Sequence, residues 1–404
     1  MDLRDDARAL SDDLVRLRRS LHRIPETGLE LPRTQEAVLA ELDGLPLEVS
    51  TGDGLSSVTA VLRGAASGPV VLLRGDMDAL PVAERTGVDF AADNGRMHAC
   101  GHDLHTSMLV GAARLLAAHR DRLAGDVVFM FQPGEEGYDG ARYMLAEGLL
   151  EAAGRRPVAA YALHVLSAGP ASGVFETRGG PMMSASNVLR VTVRGVGGHG
   201  AMPHRAKDPL PAACAMVTAL QAWITRSFDV FDPVILSVGT FHAGTQQNVI
   251  PETAAFQATV RSFSAAAQAR VKDGTVEVCR GVAAAHGVAV DAEFVEMYPV
   301  TVNDEAEAEF AAHAVREALG EERFAPRPHP VPASEDFSRV LDEVPGAMLM
   351  LGAPPAGADP AKSPNNHSPL AEFDDAVLAD GAAVYAELAV RRLAQGRAPV
   401  APAP

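Results

Sequence analysis

Four side chains that could bind a metal ion or transfer a proton fall within six positions of one stretch, Met97–Met108. They are the Cys100 thiol, the imidazoles of His102 and His105, and the Asp103 carboxyl group. Backbone N–H groups and the dipole at a helix N-terminus favour a thiolate, and Cys100 and His102 would lie in the loop at such a terminus. A helix is predicted here because apolar residues recur on one face, at Leu104, Met108, Leu109, Ala112, Leu115 and Leu116.

Several short apolar runs without polar alternation are each followed by polar side chains. Such runs are typical of strands buried on both faces of a parallel sheet, and helices such as 104–119 and 140–149 would connect them. Ligands bind outside the carboxyl ends of such strands, so the polar groups should converge on one crevice. The runs are Val70–Leu73 before Asp76 and Asp78, Val127–Phe131 before Glu135 and Glu136, Ala159–Leu163 before His164, and Met348–Leu351 before the loop Asn365–Pro369.

The residue types in this crevice suit a dinuclear metal site. Such a site needs about five or six donors and a further carboxylate that is free to move a proton. A lone histidine after a strand is more often structural, but the joint placement of five donors favours metal binding: Cys100, His102, Glu136, His164 and His367. Glu135 is the candidate base, and Asp78 is predicted to support the ligands as a hydrogen-bond acceptor. The donor set suits zinc or manganese, with cobalt or nickel as alternatives.

Composition limits the class of protein. The chain has 404 residues, of which 47% are hydrophobic, and this length favours two domains. Its net charge of −17, without a clustered basic run, disfavours nucleic acid and anionic membranes as partners. Three widely spaced cysteines argue against a disulfide framework, and no signal peptide or membrane-length apolar run is present, so we expect a cytoplasmic protein.

The pattern changes between about Ser184 and Glu296. Strand-like segments there alternate apolar and polar residues, and 209–225 and 264–285 have helical patterns. We therefore predict an α/β catalytic domain with a central, mostly parallel sheet, formed by residues 1–183 and 297–404, and an inserted smaller α+β lid and dimerisation domain at 184–296. The Pro/Ala-rich tail from Ala398 is expected to be disordered.

Seven ordered motifs resemble those of the dinuclear metal amidohydrolases, which are aminoacylase-like metallopeptidases. The most similar branch contains N-acyl-amino-acid amidohydrolases, hippurate hydrolases and plant auxin-conjugate hydrolases. The resemblance runs from about His22 to Asp375 in consistent order. The motifs are Gly75–Pro81, Met97–His105, Gln132–Glu136, Gly197–His204, Gln247–Pro251, Ser334–Phe337 and Asn366–Pro369.

The resemblance implies roles for individual residues. The five donors match the ligands of that branch, Glu135 matches its general base, and Cys100 stands where more distant relatives carry a bridging Asp. His199 matches a lid histidine that reaches the site of the partner subunit in a homodimer, whereas Asn248 and Arg261 match substrate-binding segments. Arg261 could equally be a surface charge at a strand end. No role follows for His22, which is more typical of a structural histidine at a helix end, nor for His105, His204 and His242.

The implied reaction is hydrolysis of the amide bond of a small N-acyl-amino acid by metal-activated water, with Glu135 as general acid and base and His199 stabilising the oxyanion. One alternative is a related hydrolase that acts on a dipeptide, a carbamoyl compound or an N-acetyl-diaminopimelate-type substrate. A non-catalytic metal-binding homologue is disfavoured because the base and all five donors are present.

Overall fold

A computed structural model describes residues 3–395, so the tail from Ala398 lies outside the described residues. Within them, contacts divide the chain into two units. Unit 1 comprises the residues up to Met182, Val302–His329 and those from Arg339 onward; unit 2 comprises Met183–Thr301 and Pro330–Ser338. None of the described helices combines the length and apolar character needed to cross a bilayer.

Unit 1 contains an eight-stranded sheet with the order β1-β2-β4-β3-β5-β16-β6-β15. Its centre is parallel, because β3 pairs in parallel with β4 and β5, and β5 with β16. Every residue of β3, β4 and β16 is buried, which explains why these strands lack alternation. The strands are β1 Leu47–Thr51, β2 Val58–Leu62, β3 Val70–Asp76, β4 Asp126–Gln132, β5 Ala159–Leu166, β6 Phe175–Thr177, β15 Phe324–Pro326 and β16 Gly346–Gly352.

Unit 1 also contains helices. The predicted helix after the Cys100 stretch begins at His102 and is buried along most of its length. The helix predicted at 140–149 ends at Ala146 and is followed by a short 3-10 turn. The helices are α1 Leu3–Ala9, α2 Ser11–His22, α3 Pro32–Leu42, α4 His102–Ala118, α5 Gly140–Ala146, α8 Glu305–Leu319, α9 Ser338–Leu341 and α10 Val377–Ala394, where Ser338 itself is assigned to unit 2.

Unit 2 has an antiparallel sheet of four strands in the order β10-β12-β8-β13. In β8 the apolar side chains at Leu189, Val191 and Val193 are buried and form one core with side chains of two helices. The α/β and α+β architecture predicted from the two sequence patterns is confirmed. The elements of unit 2 are β8 Ser186–Arg194, β9 Gly198–His199, α6 Pro209–Ser227, β10 Ile235–Ala243, β11 Val249–Ile250, β12 Thr253–Arg261, α7 Ala265–His286 and β13 Ala289–Tyr298. The strands β7 Gly180–Met183 and β14 Thr301–Asn303, most of whose residues belong to unit 1, form a separate pair.

The division into units differs from the sequence-based boundaries at three places: Met183 and Met297–Thr301, which adjoin the predicted boundaries and belong to unit 2, and Pro330–Ser338. Pro330–Ser338, which the sequence pattern assigned to the catalytic domain, belongs to unit 2. Ser184 donates its backbone N–H to the carbonyl groups of Val331 (3.1 Å) and Ala333 (2.9 Å), and Arg261 donates to the Ser334 hydroxyl group at 2.9 Å. These bonds join positions far apart in sequence, which is why no local pattern indicated them.

Candidate metal centre

The five predicted donors come together at the carboxyl end of the unit 1 sheet. The Cys100 sulfur lies 3.5 Å from His164 Nε2 and 3.3 Å from His367 Nε2, and His367 Nε2 lies 3.1 Å from Glu136 Oε1. Cys100, His102 and His164 form one group of potential ligands whose atoms lie within 4.8 Å of one another, and Cys100, Glu136 and His367 form another. Cys100 belongs to both groups, so its sulfur is placed where a bridging ligand would be.

Local backbone geometry sets these donors in place. Gly101 precedes α4 with φ +82°, and a Cβ atom there would lie 2.3 Å from a methyl group of Val165, so only glycine fits between Cys100 and His102. His367 has φ +71°, which is uncommon for a residue other than glycine. Its backbone N–H donates to the Ala99 carbonyl group at 2.8 Å. Strained backbone of this kind is typical of functional sites.

His164 is prepared for metal binding by its surroundings. Burial lowers the pKa of His164 well below its usual range, so the imidazole is neutral. Its Nδ1 lies 2.8 Å from the Val165 carbonyl oxygen, an acceptor that places the proton on Nδ1. Nε2 therefore presents a lone pair toward Cys100.

Two further observations indicate that the five donors suit a bound cation. Both ring nitrogens of His102 are buried without a hydrogen-bond partner among the described residues. Unpaired buried polar atoms are costly, and a metal ion would be a partner for one of these two nitrogens. In addition, hydrogen bonds to Cys100 and Glu136 raise the pKa of His367 to about 10, so this position favours positive charge.

Asp78 lies below the turn that carries Glu135 and Glu136. Its Oδ1 accepts the backbone N–H of Glu135 at 2.9 Å, and its Oδ2 accepts that of Glu136 at 3.0 Å. Oδ1 is also 3.5 Å from His102 Nδ1. Asp78 thus holds the orientation of both glutamates, and Glu135, Glu136 and His102 form a third group of atoms within 4.8 Å of one another.

Sequence reasoning missed the pairing of Asp76 with His105. His105 Nδ1 lies 2.6 Å from Asp76 Oδ1, and its Nε2 accepts the Val165 N–H at 2.8 Å. Asp76 also binds the buried Arg74 guanidinium at 2.7 Å. Although Asp76, His102 and His105 have atoms within 4.8 Å, both ring nitrogens of His105 are occupied, so His105 supports β5 beside His164. No local pattern indicates this pairing, because Asp76 and His105 lie 29 positions apart in the sequence.

His22 lies in a buried ion-pair network beside the centre. Its Nδ1 is 2.7 Å from Asp103 Oδ2, and its Nε2 is 3.2 Å from the Glu84 carboxylate. Burial opposes protonation, but the Asp103 and Glu84 carboxylates prevail and raise the pKa of His22. Arg18 contacts the same Asp103 oxygen at 2.8 Å. These contacts agree with a structural role for His22.

The remaining predicted residues belong to unit 2. His199 in β9 pairs with Val249 in β11, and Gly200 donates to the Asn248 carbonyl group at 2.8 Å, so His199 and Asn248 are neighbours. The His199 side chain is exposed. Arg261, at the end of β12, is half-buried, and burial lowers its pKa. His204 and His242 are exposed side chains.

Comparison with known proteins identifies the family. Residues 72–391 match the model of peptidase family M20/M25/M40. The chain is 35% identical over 394 residues to thermostable carboxypeptidase 1 of Saccharolobus solfataricus, covering 96% of this chain and 98% of the relative. It is 34% identical over 392 residues to IAA-amino acid hydrolase ILR1-like 4 of Arabidopsis thaliana, covering 96% and 87%.

A solved structure is similar over nearly the whole chain. A Bacillus subtilis protein described as a dinuclear metal-binding peptidase of the M20 family superposes with a TM-score of 0.82 at 29% identity, covering 96% of this chain and 99% of that chain. The resemblance seen in the sequence motifs is therefore confirmed. A chain with these matches, and with clusters of side chains that can hold metal ions, belongs to peptidase family M20/M25/M40.

Proposed function

We propose that the protein hydrolyses the amide bond of N-acyl-amino acids with acetyl, benzoyl or arylacetyl acyl groups. The observation that carries the proposal is the convergence of Cys100, His102, Glu136, His164 and His367 next to a further carboxylate, Glu135. The similarity to an IAA-amino acid hydrolase supports an acylated amino acid as substrate. The similarity to a carboxypeptidase keeps a peptide-type substrate as the second candidate.

The chain's own residues account for the proton transfers. Two divalent metal ions, zinc or manganese with cobalt or nickel as alternatives, would be held by the five donors and would supply Lewis acidity and an acidified water. Glu135 is 6% exposed, and its backbone is fixed by Asp78. From this place its carboxylate takes the proton of the attacking water and later delivers it to the departing amine nitrogen.

Two residues of unit 2 are proposed to bind substrate. The guanidinium of Arg261 is half-buried and hydrogen-bonds the neutral Ser334 hydroxyl group, and no carboxylate of the described residues pairs with it. A partly desolvated cation of this kind suits the carboxylate of an amino acid substrate. Asn248, beside His199, is proposed to bind the polar part of the same substrate, and His199 to stabilise the developing oxyanion.

The first prediction concerns substrate class. With Mn²⁺ or Zn²⁺ added, we expect hydrolysis of N-acetyl-, N-benzoyl- and indoleacetyl-amino acids to exceed that of dipeptides, N-carbamoyl-amino acids and N-acetyl-diaminopimelate. A substrate in which the carboxylate is replaced by a carboxamide should show a raised KM, because Arg261 loses its anionic partner. Release of the free amine, followed over the whole panel, is the measurement.

Metal removal is the control for this panel. Exhaustive dialysis against a chelator should abolish turnover, and Mn²⁺ or Zn²⁺ alone should restore it. Faster cleavage of dipeptides than of every acyl-amino acid would reject the proposed substrate class and favour the carboxypeptidase alternative. Turnover that is unchanged in the metal-free protein would reject the mechanism itself.

The second prediction concerns assembly, for which we propose a homodimer whose sites use His199 of the partner subunit. Mixing His199→Ala and Glu135→Gln subunits under exchange conditions should recover up to about a quarter of the parental activity, because half of the chains form hybrids and each hybrid has one intact site. Size-exclusion chromatography and turnover of the mixture measure this. No activity above that of the separate variants would show that each chain supplies its own His199.

We also propose a cytoplasmic location, with no nucleic acid or membrane partner. The acidic net charge of −17 and the free thiols of Cys100, Cys214 and Cys279 support this placement.

A further inference from the structure

One amide side chain contacts two of the segments that carry the metal-ligand candidates. The Asn366 amide nitrogen donates to the Cys100 carbonyl oxygen at 3.3 Å, to the Val165 carbonyl oxygen at 3.0 Å and to the Cys100 sulfur at 3.7 Å. The amide oxygen accepts the backbone N–H and the hydroxyl group of Ser167, both at 2.9 Å. Because carbonyl oxygens only accept and a backbone N–H only donates, these partners settle the orientation of the amide.

These contacts join three ligand positions. Cys100 is bound directly, Val165 directly follows His164 in β5, and Asn366 directly precedes His367. His367 holds a left-handed backbone conformation, and such a conformation persists only where its surroundings impose it. The hydrogen bond from the His367 N–H to the Ala99 carbonyl group constrains this backbone at His367 itself. The five contacts of the preceding residue, Asn366, constrain it from the N-terminal side.

We propose that Asn366 is a positioning residue for the metal centre. Its amide holds the Cys100 turn, the end of β5 and the His367 loop at ligating separation, and its N–H orients the Cys100 sulfur toward both ligand groups. The inference rests on the proposed metal-dependent function and adds a residue that touches neither substrate nor metal. Outer hydrogen bonds of this kind typically change metal affinity about 10- to 100-fold when they are removed.

The residue type at this position is constrained. The site requires two N–H donors facing Cys100 and Val165 and one oxygen facing Ser167, all on a side chain with a single CH₂ group. Aspartate has the same shape but would turn an acceptor oxygen toward two carbonyl oxygens and a sulfur. Asn366→Asp therefore replaces the N–H donors by an acceptor oxygen and leaves the volume of the side chain nearly unchanged.

The chain contains a matched control in Asn303. The Asn303 side chain is buried, whereas that of Asn366 is partly exposed. The Asn303 amide spans several elements of unit 1: the nitrogen donates to Thr177 Oγ1, the Arg178 carbonyl oxygen and the Met348 carbonyl oxygen at 3.0, 2.9 and 3.0 Å, and the oxygen accepts the Met348 N–H at 2.8 Å. It contacts no ligand candidate. Asn303→Asp should disturb the fold by the same chemistry and leave the Cys100 sulfur in place.

The test measures binding of Co²⁺ alone to the metal-free full chain. A competing chromophoric chelator gives the affinity, and the thiolate-to-cobalt charge-transfer absorption reports the Cys100 sulfur. We expect Asn366→Asp to weaken Co²⁺ binding about 10- to 100-fold and to lose or shift this absorption, whereas Asn303→Asp keeps the parental values. Thermal unfolding of the metal-free variants identifies those that are folded. If Asn366→Asp does not fold, Asn366→Ala replaces it in the test, because alanine removes the N–H donors without adding charge.

The outcomes separate the inference from the function. Parental affinity and absorption in the Asn366 variant, or an equal loss in Asn303→Asp, overturns the positioning role while the proposed hydrolysis stands. A parent that binds Co²⁺ through its thiolate but hydrolyses no substrate of the panel overturns the function while the inference stands. A parent that binds no Co²⁺ overturns both.

Discussion

Glu135→Gln is expected to lower kcat about 10²- to 10⁴-fold while the bound metal is retained. Glutamine keeps the size and shape of the side chain, and the Asp78 bond to the residue 135 backbone does not depend on the side chain. What is lost is the group that accepts the proton of the attacking water. Steady-state kinetics on the best acyl-amino acid, together with elemental analysis of the purified variant, would measure both quantities.

The neighbouring glutamate provides the control for this experiment. Glu136 belongs to the same turn, and its Oε1 faces His367 Nε2 at 3.1 Å, so Glu136→Gln should lose metal as well as activity. His164→Ala should do the same, because its Nε2 faces Cys100. Parental turnover in Glu135→Gln would end its assignment as the base, and loss of metal from that variant would make Glu135 a ligand.

The convergence of the ligand candidates could be predicted because each lies next to a strong local signal, either the end of an apolar strand or the start of a helix. β3, β4 and β16 are buried on both faces, so their sequences are uninterrupted apolar runs, and the point where a run stops is visible without a structure. The alternation in β8 is equally local, since one face packs on helices and the other does not. The resemblance to the amidohydrolase family then indicated that the residues next to these signals belong to one site.

The supporting contacts could not be predicted, because each depends on segments that are distant in sequence. Asp76 meets His105 across 29 positions, and Asn366 meets Cys100 across 266 positions. Which polar groups form a pair depends on how the folded elements pack against one another, and such pairs produce no periodic pattern in the sequence. The strands β9 and β11, which bring His199 beside Asn248, contain two residues each and are too short to show a periodic pattern.

The largest expected effect on stability concerns Arg18, whose buried guanidinium contacts two carboxylates. Its side chain is 2% exposed and contacts Asp103 at 2.8 Å and Asp375 at 3.2 Å. Asp103 directly follows the ligand candidate His102, and Asp375 lies in the loop that continues from His367. Removing one partner from a buried ion pair leaves an uncompensated charge and costs about 3–5 kcal/mol.

Arg18→Met should therefore destabilise the metal-free protein by about 3 kcal/mol, at the lower end of that range because His22 remains beside Asp103. Arg16→Met is the matched control in the same helix: Arg16 pairs with Asp13 at 2.8 Å, both side chains are more than half exposed, and such pairs contribute about 0–1 kcal/mol. Urea unfolding should be followed by far-UV circular dichroism, since the single tryptophan, Trp223, lies in unit 2. Equal losses in the two variants would show that the Arg18 network is no stronger than a surface pair.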